Sequence, residues 1–116
     1  MKKLVLTLIL FTPIFAYAAD ETMDGNKLLM MIESSNTKER LFSRGYVVGV
    51  IDALTFSKVV LKSNGLICIP ENGPITYTQV EDITHNYLKA NPNKRHFSAQ
   101  ILIADAINDA FPCGKK

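Results

Sequence analysis

Apolar positions recur along the chain at helical rather than strand spacing, in blocks separated by short polar breaks. Leu28, Leu29, Met31 and Ile32 crowd the segment Asp24–Glu33, which predicts a first helix with Asp24 as its N-cap. Ser34-Ser35-Asn36-Thr37 breaks that pattern. Asn36, with Glu39 three residues later, marks the start of the next helix. From Thr37 to Leu61 there is no proline or asparagine, too long a run for a strand, although Val47, Val48, Val50 and Ile51 are β-branched. Arg40, Arg44, Thr55, Lys58 and Lys62 fall close to one helical stripe and the rest is apolar, so this predicts a central, mostly buried helix. Gly45 and Gly49 are predicted to let a neighbouring helix approach it closely, and Asp52 to act as a buried polar anchor. Asn64-Gly65 is the predicted stop.

Leu66–Pro74 reads as an irregular connection. Thr76 as N-cap sets Gln79 at the capping-box position and pairs Ile75 with Val80 as a hydrophobic staple. The third helix then buries Val80, Ile83, Tyr87 and Leu88, turns Glu81, Asp82, His85, Asn86 and Lys89 to water, and ends at Asn91-Pro92. A fourth helix is predicted from about Lys94 to Phe111, stopped by Pro112. The fold class is therefore all-α, a small bundle of four to five helices.

The N-terminus has a different character. Lys2 and Lys3, the apolar run Leu4–Phe15 and the small-x-small triplet Ala16-Tyr17-Ala18 predict a secretory signal peptide over residues 1–18. A single domain, 19–116, follows. The apolar run is too short to span a membrane, which needs about 20 residues, so no membrane association is expected after cleavage. The two-lysine start points to the bacterial periplasm. Charge supports a domain without a nucleic-acid partner: 13 Lys and Arg stand against 11 Asp and Glu, and Lys2 and Lys3 leave with the signal.

Cys68 and Cys113 are the only cysteines. An even count in an oxidising compartment predicts one disulfide stapling the bundle, worth about 4 kcal/mol for a loop of this length. The other readings are two free thiols, or a nucleophile served by His85 or His96; there is no CxxC pair. No glycine-rich phosphate loop and no HExxH are present, and the two histidines read as solvated surface residues. The expectation is a protein that is not an enzyme and takes no cofactor or metal.

Several patterns in order then resemble one family: Gly25-Asn26-Lys27-Leu28-Leu29, Gly45-Tyr46-Val47-Val48-Gly49-Val50-Ile51-Asp52-Ala53, Cys68-Ile69-Pro70, Tyr87-Leu88 with Asn91-Pro92, Arg95-His96, and Ala110-Phe111-Pro112-Cys113. Together they resemble the Rap/Tai immunity proteins, whose characterised members are small helical periplasmic proteins that neutralise peptidoglycan amidases delivered by type VI secretion. Many members carry a second cysteine pair; Ile32 and Ser43 stand near those places here. The resemblance implies a cell-wall amidase effector as partner and a homodimer as the assembled form. A plug for an enzyme cleft needs a restrained protrusion, and Pro70, Pro74 and Cys68 restrain the loop carrying Glu71 and Asn72. The exposed side of the third helix, with His85 and Lys89, is the second candidate surface. The alternative function is a small acid-stress-type chaperone or an envelope protein of other role. Against the chaperone, the acids beyond Asp20 and Glu21 are spread along the chain rather than massed.

Overall fold

The computed structural model describes residues 22–62, 65–70 and 72–114. The signal peptide expected at 1–18 lies outside the described residues, as do Asn64 and Glu71. Four α-helices follow one another: α1 (Gly25–Ile32), α2 (Thr37–Leu61), α3 (Tyr77–Ala90) and α4 (Ala99–Ala110), with a 3-10 turn at Pro92–Lys94. Among the described residues no helix is long and apolar enough to cross a membrane.

Local chemistry sets the starts of the first three helices. The Asp24 carboxylate accepts from the Lys27 amide at 2.8 Å, and Asn36 Oδ1 from the Lys38 amide at 2.9 Å. Thr76 Oγ1 accepts from the Gln79 amide at 3.1 Å, with Ile75 half-buried and Val80 buried beneath it. Each cap satisfies an otherwise orphaned amide, worth about 1 kcal/mol. At the other end of α3, Asn91 donates both its amide and its side-chain Nδ2 to the Tyr87 carbonyl.

The core gathers Leu28 from α1, Val47 and Ile51 from α2, Leu88 from α3, and Leu102, Ile103 and Ile107 from α4. Each such side chain contributes about 1.5–3 kcal/mol when fully buried. Ser43, in the α2 interior, is wholly buried and donates its hydroxyl to the Arg40 carbonyl at 2.9 Å.

Three expectations from the sequence are corrected. First, α2 is not mostly buried. Only Ser43, Val47 and Ile51 are buried, while Phe42, Phe56, Val60 and Leu61 are 55–70% exposed. At roughly 100° per residue, Arg40, Arg44, Lys58 and Lys62 lie on the same side as Val47 and Ile51. They reach water around the edges of the core contact, as long basic side chains do, and Arg44 does so by pairing with Glu81 on α3. The apolar remainder faces outward. Gly45 and Gly49 therefore serve no helix packing within the chain: a Cβ at either would meet nothing within 4 Å. Asp52 is exposed rather than a buried anchor.

Second, α4 begins at Ala99, not near Lys94. The carbonyls of Arg95 and Phe97 are taken by the Asn26 and Gly25 amides, and the Ala99 amide donates to the Met23 carbonyl at 2.8 Å. These bonds fix residues 95–98 as an irregular seat for the start of α1. Third, α2 ends by Lys62 in the left-handed conformation (φ 48°), ahead of Gly65 (φ 73°), the expected stop.

Candidate functional site

The connection between α2 and α3 is held at one point by covalent and polar ties. Cys68 and Cys113 are bridged, with their Cα atoms 5.2 Å apart. Asn108, on the last turn of α4, lies beside the bridge. Its Nδ2 donates to the Leu66 carbonyl at 2.8 Å, and its Oδ1 accepts from the Cys68 amide at 3.3 Å. Ile67 is buried between these anchors. Beyond them Pro70, Asn72, Gly73 and Pro74 are exposed. The connection thus stays against the core through Ile69 and regains it at Ile75, just before the capped start of α3.

Asn72 and Pro70 border an open groove of about 600 Å³ that is also lined by the disulfide, Phe111 and Lys58. Glu71, named with Asn72 as a candidate, lies outside the described residues. Its lining mixes the polar side chains of Asn72 and Lys58 with apolar ones from Pro70, Phe111 and Pro112.

His85 and Lys89 occupy a separate place. His85 Nε2 donates to Glu33 Oε1 at 2.9 Å, and Lys89 Nζ lies 3.1 Å from the same oxygen. The hydrogen bond from His85, and then that from Lys89, hold the Glu33 carboxyl below the usual carboxylate range. His85 is thus hydrogen-bonded to Glu33 rather than simply solvated. These two residues fasten α3 to the end of α1 and remain reachable, Lys89 being exposed. The structure brings His85 and Lys89 together and sets Asn72 apart from them, beside the disulfide. His96 stacks on its neighbour Phe97, with ring centroids 4.2 Å apart.

Sequence reasoning overlooked Glu33 and Asn108, whose partners lie 52 and about 40 residues away. A third cluster was also missed. Lys94 Nζ donates to the Tyr87 hydroxyl at 3.0 Å, and that hydroxyl lies 3.4 Å from Asp105 Oδ2. The Tyr87 bond holds the Lys94 ammonium above its usual pKa. Arg95 closes the same end by donating to the Leu88 and Lys89 carbonyls, the last turn of α3. Among the described residues no three of His, Cys, Asp and Glu come together as a metal site.

The profile of the family described as Rap1a immunity proteins matches residues 24–113. No curated protein and no solved structure matches the chain.

Proposed function

This chain belongs to the Rap1a immunity protein family, and on that premise we propose that it is a periplasmic immunity protein inhibiting a peptidoglycan amidase delivered by type VI secretion. Residues 1–18 direct export and are removed, leaving 19–116 as the working domain. The protein acts by occupying the effector's cleft and carries out no reaction. Its assembled form is a homodimer.

The observation that carries this reading is the family match over nearly all of the described chain. The loop around Asn72 supports it, because it is exposed yet tied down at both ends. A loop fixed before binding loses less entropy on docking, so more of its contact energy appears as affinity. We assign the anchor to Glu71 and Asn72, and a flanking contact to His85 and Lys89.

The test is isothermal titration of the purified protein against the amidases encoded in the same genome. One should bind and lose its peptidoglycan hydrolysis. Replacing Glu71 and Asn72 together by alanine should then weaken binding about thirtyfold, the effect of removing a central anchor, with unchanged far-UV circular dichroism. An unchanged affinity would move the contact to His85 and Lys89. If no such amidase binds at micromolar concentration, the reading fails.

A further inference from the structure

The chain contains two Asn-Gly pairs, Asn64-Gly65 and Asn72-Gly73. In such a pair the glycine amide nitrogen can reach the asparagine side-chain carbonyl carbon, because the second residue has no Cβ to hinder the approach. A fold permits this reaction where the side chain is unbonded, the attacking amide is free and the backbone can turn. All three conditions hold at 72 and 73. Asn72 is exposed, and among the described residues neither its side chain nor the Gly73 amide takes part in a hydrogen bond. Gly73 lies outside any helix at φ 151°, and a Cβ there would meet nothing within 4 Å.

The other described asparagines are held. Asn36 Oδ1 caps α2, and Asn108 uses both of its side-chain polar atoms. Asn91 donates Nδ2 to the Tyr87 carbonyl and precedes Pro92, whose nitrogen carries no hydrogen. The amide that would attack Asn26 is taken by the Asp24 carboxylate, and the one that would attack Asn93 by the Asn91 carbonyl. Asn86 lies within α3, where turning the backbone breaks helical hydrogen bonds. At the other Asn-Gly pair Gly65 is crowded, since a Cβ there would stand 2.9 Å from the Lys58 stem.

We propose that Asn72 is a site of spontaneous covalent modification, which turns a neutral loop position acidic. The Gly73 nitrogen gives up its proton and attacks Asn72 Cγ. An N–Cγ bond closes a succinimide ring, the Cγ–Nδ2 bond breaks, and Nδ2 leaves as ammonia carrying that proton. Water then opens the ring at either carbonyl. One opening leaves aspartate. The other leaves isoaspartate, whose main chain runs through the former side chain and is one carbon longer.

The effect on function rests on the assignment of Asn72 as an effector anchor. A carboxylate at this position stands next to Glu71 in the chain, in a groove that Lys58 also lines. Isoaspartate further lengthens a connection packed on the core at Ile69 and Ile75. Aged copies should therefore hold the amidase less tightly than fresh ones.

The test keeps the purified protein in warm, mildly alkaline buffer for days and reads it by fragment-ion mass spectrometry, with enzymatic isoaspartate methylation to detect the isomer. Position 72 should show exchange of NH2 for OH at least about tenfold faster than position 64, a barrier difference of about 1.4 kcal/mol. Gly73→Ala should slow the exchange, and Asn72→Gln, which would have to close a larger ring, should keep its amide. The proposal is overturned if position 64 converts as fast as position 72. It is equally overturned if position 72 keeps its amide while a short peptide spanning Ile69–Thr76 converts. For an amidase that binds, Asn72→Asp should weaken affinity about tenfold, and the bound amidase should protect position 72. An unchanged affinity would overturn the functional effect. If no amidase binds, the immunity reading fails, while the mass measurement still decides the modification.

Discussion

The start of α1 and the outward face of α2 each carry glycine, for opposite reasons. At Gly25 a Cβ would stand 2.5 Å from Leu102 and 2.9 Å from the Arg95 carbonyl, so the backbone itself occupies the space a side chain would need. Its amide donates to the Phe97 carbonyl, and the neighbouring Asp24 forms an isolated antiparallel bridge with Ser98. At Gly49 nothing lies within reach. The first glycine is accounted for within the chain. The second lowers helix propensity in the middle of a 25-residue helix and gains nothing in the single copy. A residue type whose local reason is missing directs attention outside the chain.

The two regions are also secured differently. The α1 seat rests on three backbone hydrogen bonds and on buried contacts, whereas the α2–α3 connection is tied to α4 by the disulfide and Asn108, with Ile67 buried between them. The sharpest way to separate them is Cys113→Ser. It should lower stability by about 2–5 kcal/mol, the usual range for a native disulfide in a small domain, as measured by urea denaturation. Hydrogen exchange in the variant should rise at Ile67–Ile69 well before it rises at Leu28 and Leu29. Equal loosening at both places would erase the distinction.

Next in size is the glycine pair. Gly25→Ala should destabilise the fold by about 1–3 kcal/mol through overpacking. Gly49→Ala, measured dilute enough to keep single copies, should stabilise it by about 0.5–1 kcal/mol. The melting temperatures should thus move in opposite directions, by several degrees per kcal/mol for a domain of this size. Shifts of the same sign would show that both glycines answer to the same demand. Smaller again, Asn108→Ala removes two hydrogen bonds from the loop and should cost about 0.5–1.5 kcal/mol, chiefly through the part-buried Cys68 amide, since water can reach the Leu66 carbonyl. Its effect should appear as faster exchange of the Cys68 amide with little change at α1.

The smallest effect belongs to Glu33. Its folded-state pKa lies below the ordinary glutamate value of about 4.3. The stability it adds is therefore present above that value and lost as pH falls through the lower, folded-state one. Glu33→Gln should melt slightly earlier than the parent at pH 7 and at the same temperature in strong acid. A gap that persists in strong acid would mean the side chain acts by shape rather than charge.

Much of this was legible in the sequence because it is local. The caps at Asp24, Asn36 and Thr76 are each read from two or three residues, and the Cys68–Cys113 pairing follows from there being no other choice. What the sequence hid was relational. The apolar stripe of α2 is wider than the core needs, and a reading that assumes one chain turns all of it inward. The seat at residues 95–98 looks like the first turn of α4 until the amides of Gly25 and Asn26 claim its carbonyls. His85 and Lys89 read as solvated because Glu33, which engages both, is 52 positions from His85. Asn72 was legible as a site only through the prolines and cysteine around it, which speak to rigidity and not to what is gripped.

The bridge also has a consequence for biogenesis. Cys68 is followed by the whole of α3 and α4 before its partner appears. If the chain is exported as proposed, emerging N-terminus first into an oxidising compartment, it exposes a single thiol for the time needed to deliver those two helices. Mispairing within one molecule is impossible during that interval, since no third cysteine exists. The hazard is between molecules, where two half-delivered chains can join through Cys68. In the folded protein Asn108 holds the Cys68 amide at the end of α4, with Cys113 five residues further along, and the bridge removes the exposed thiol.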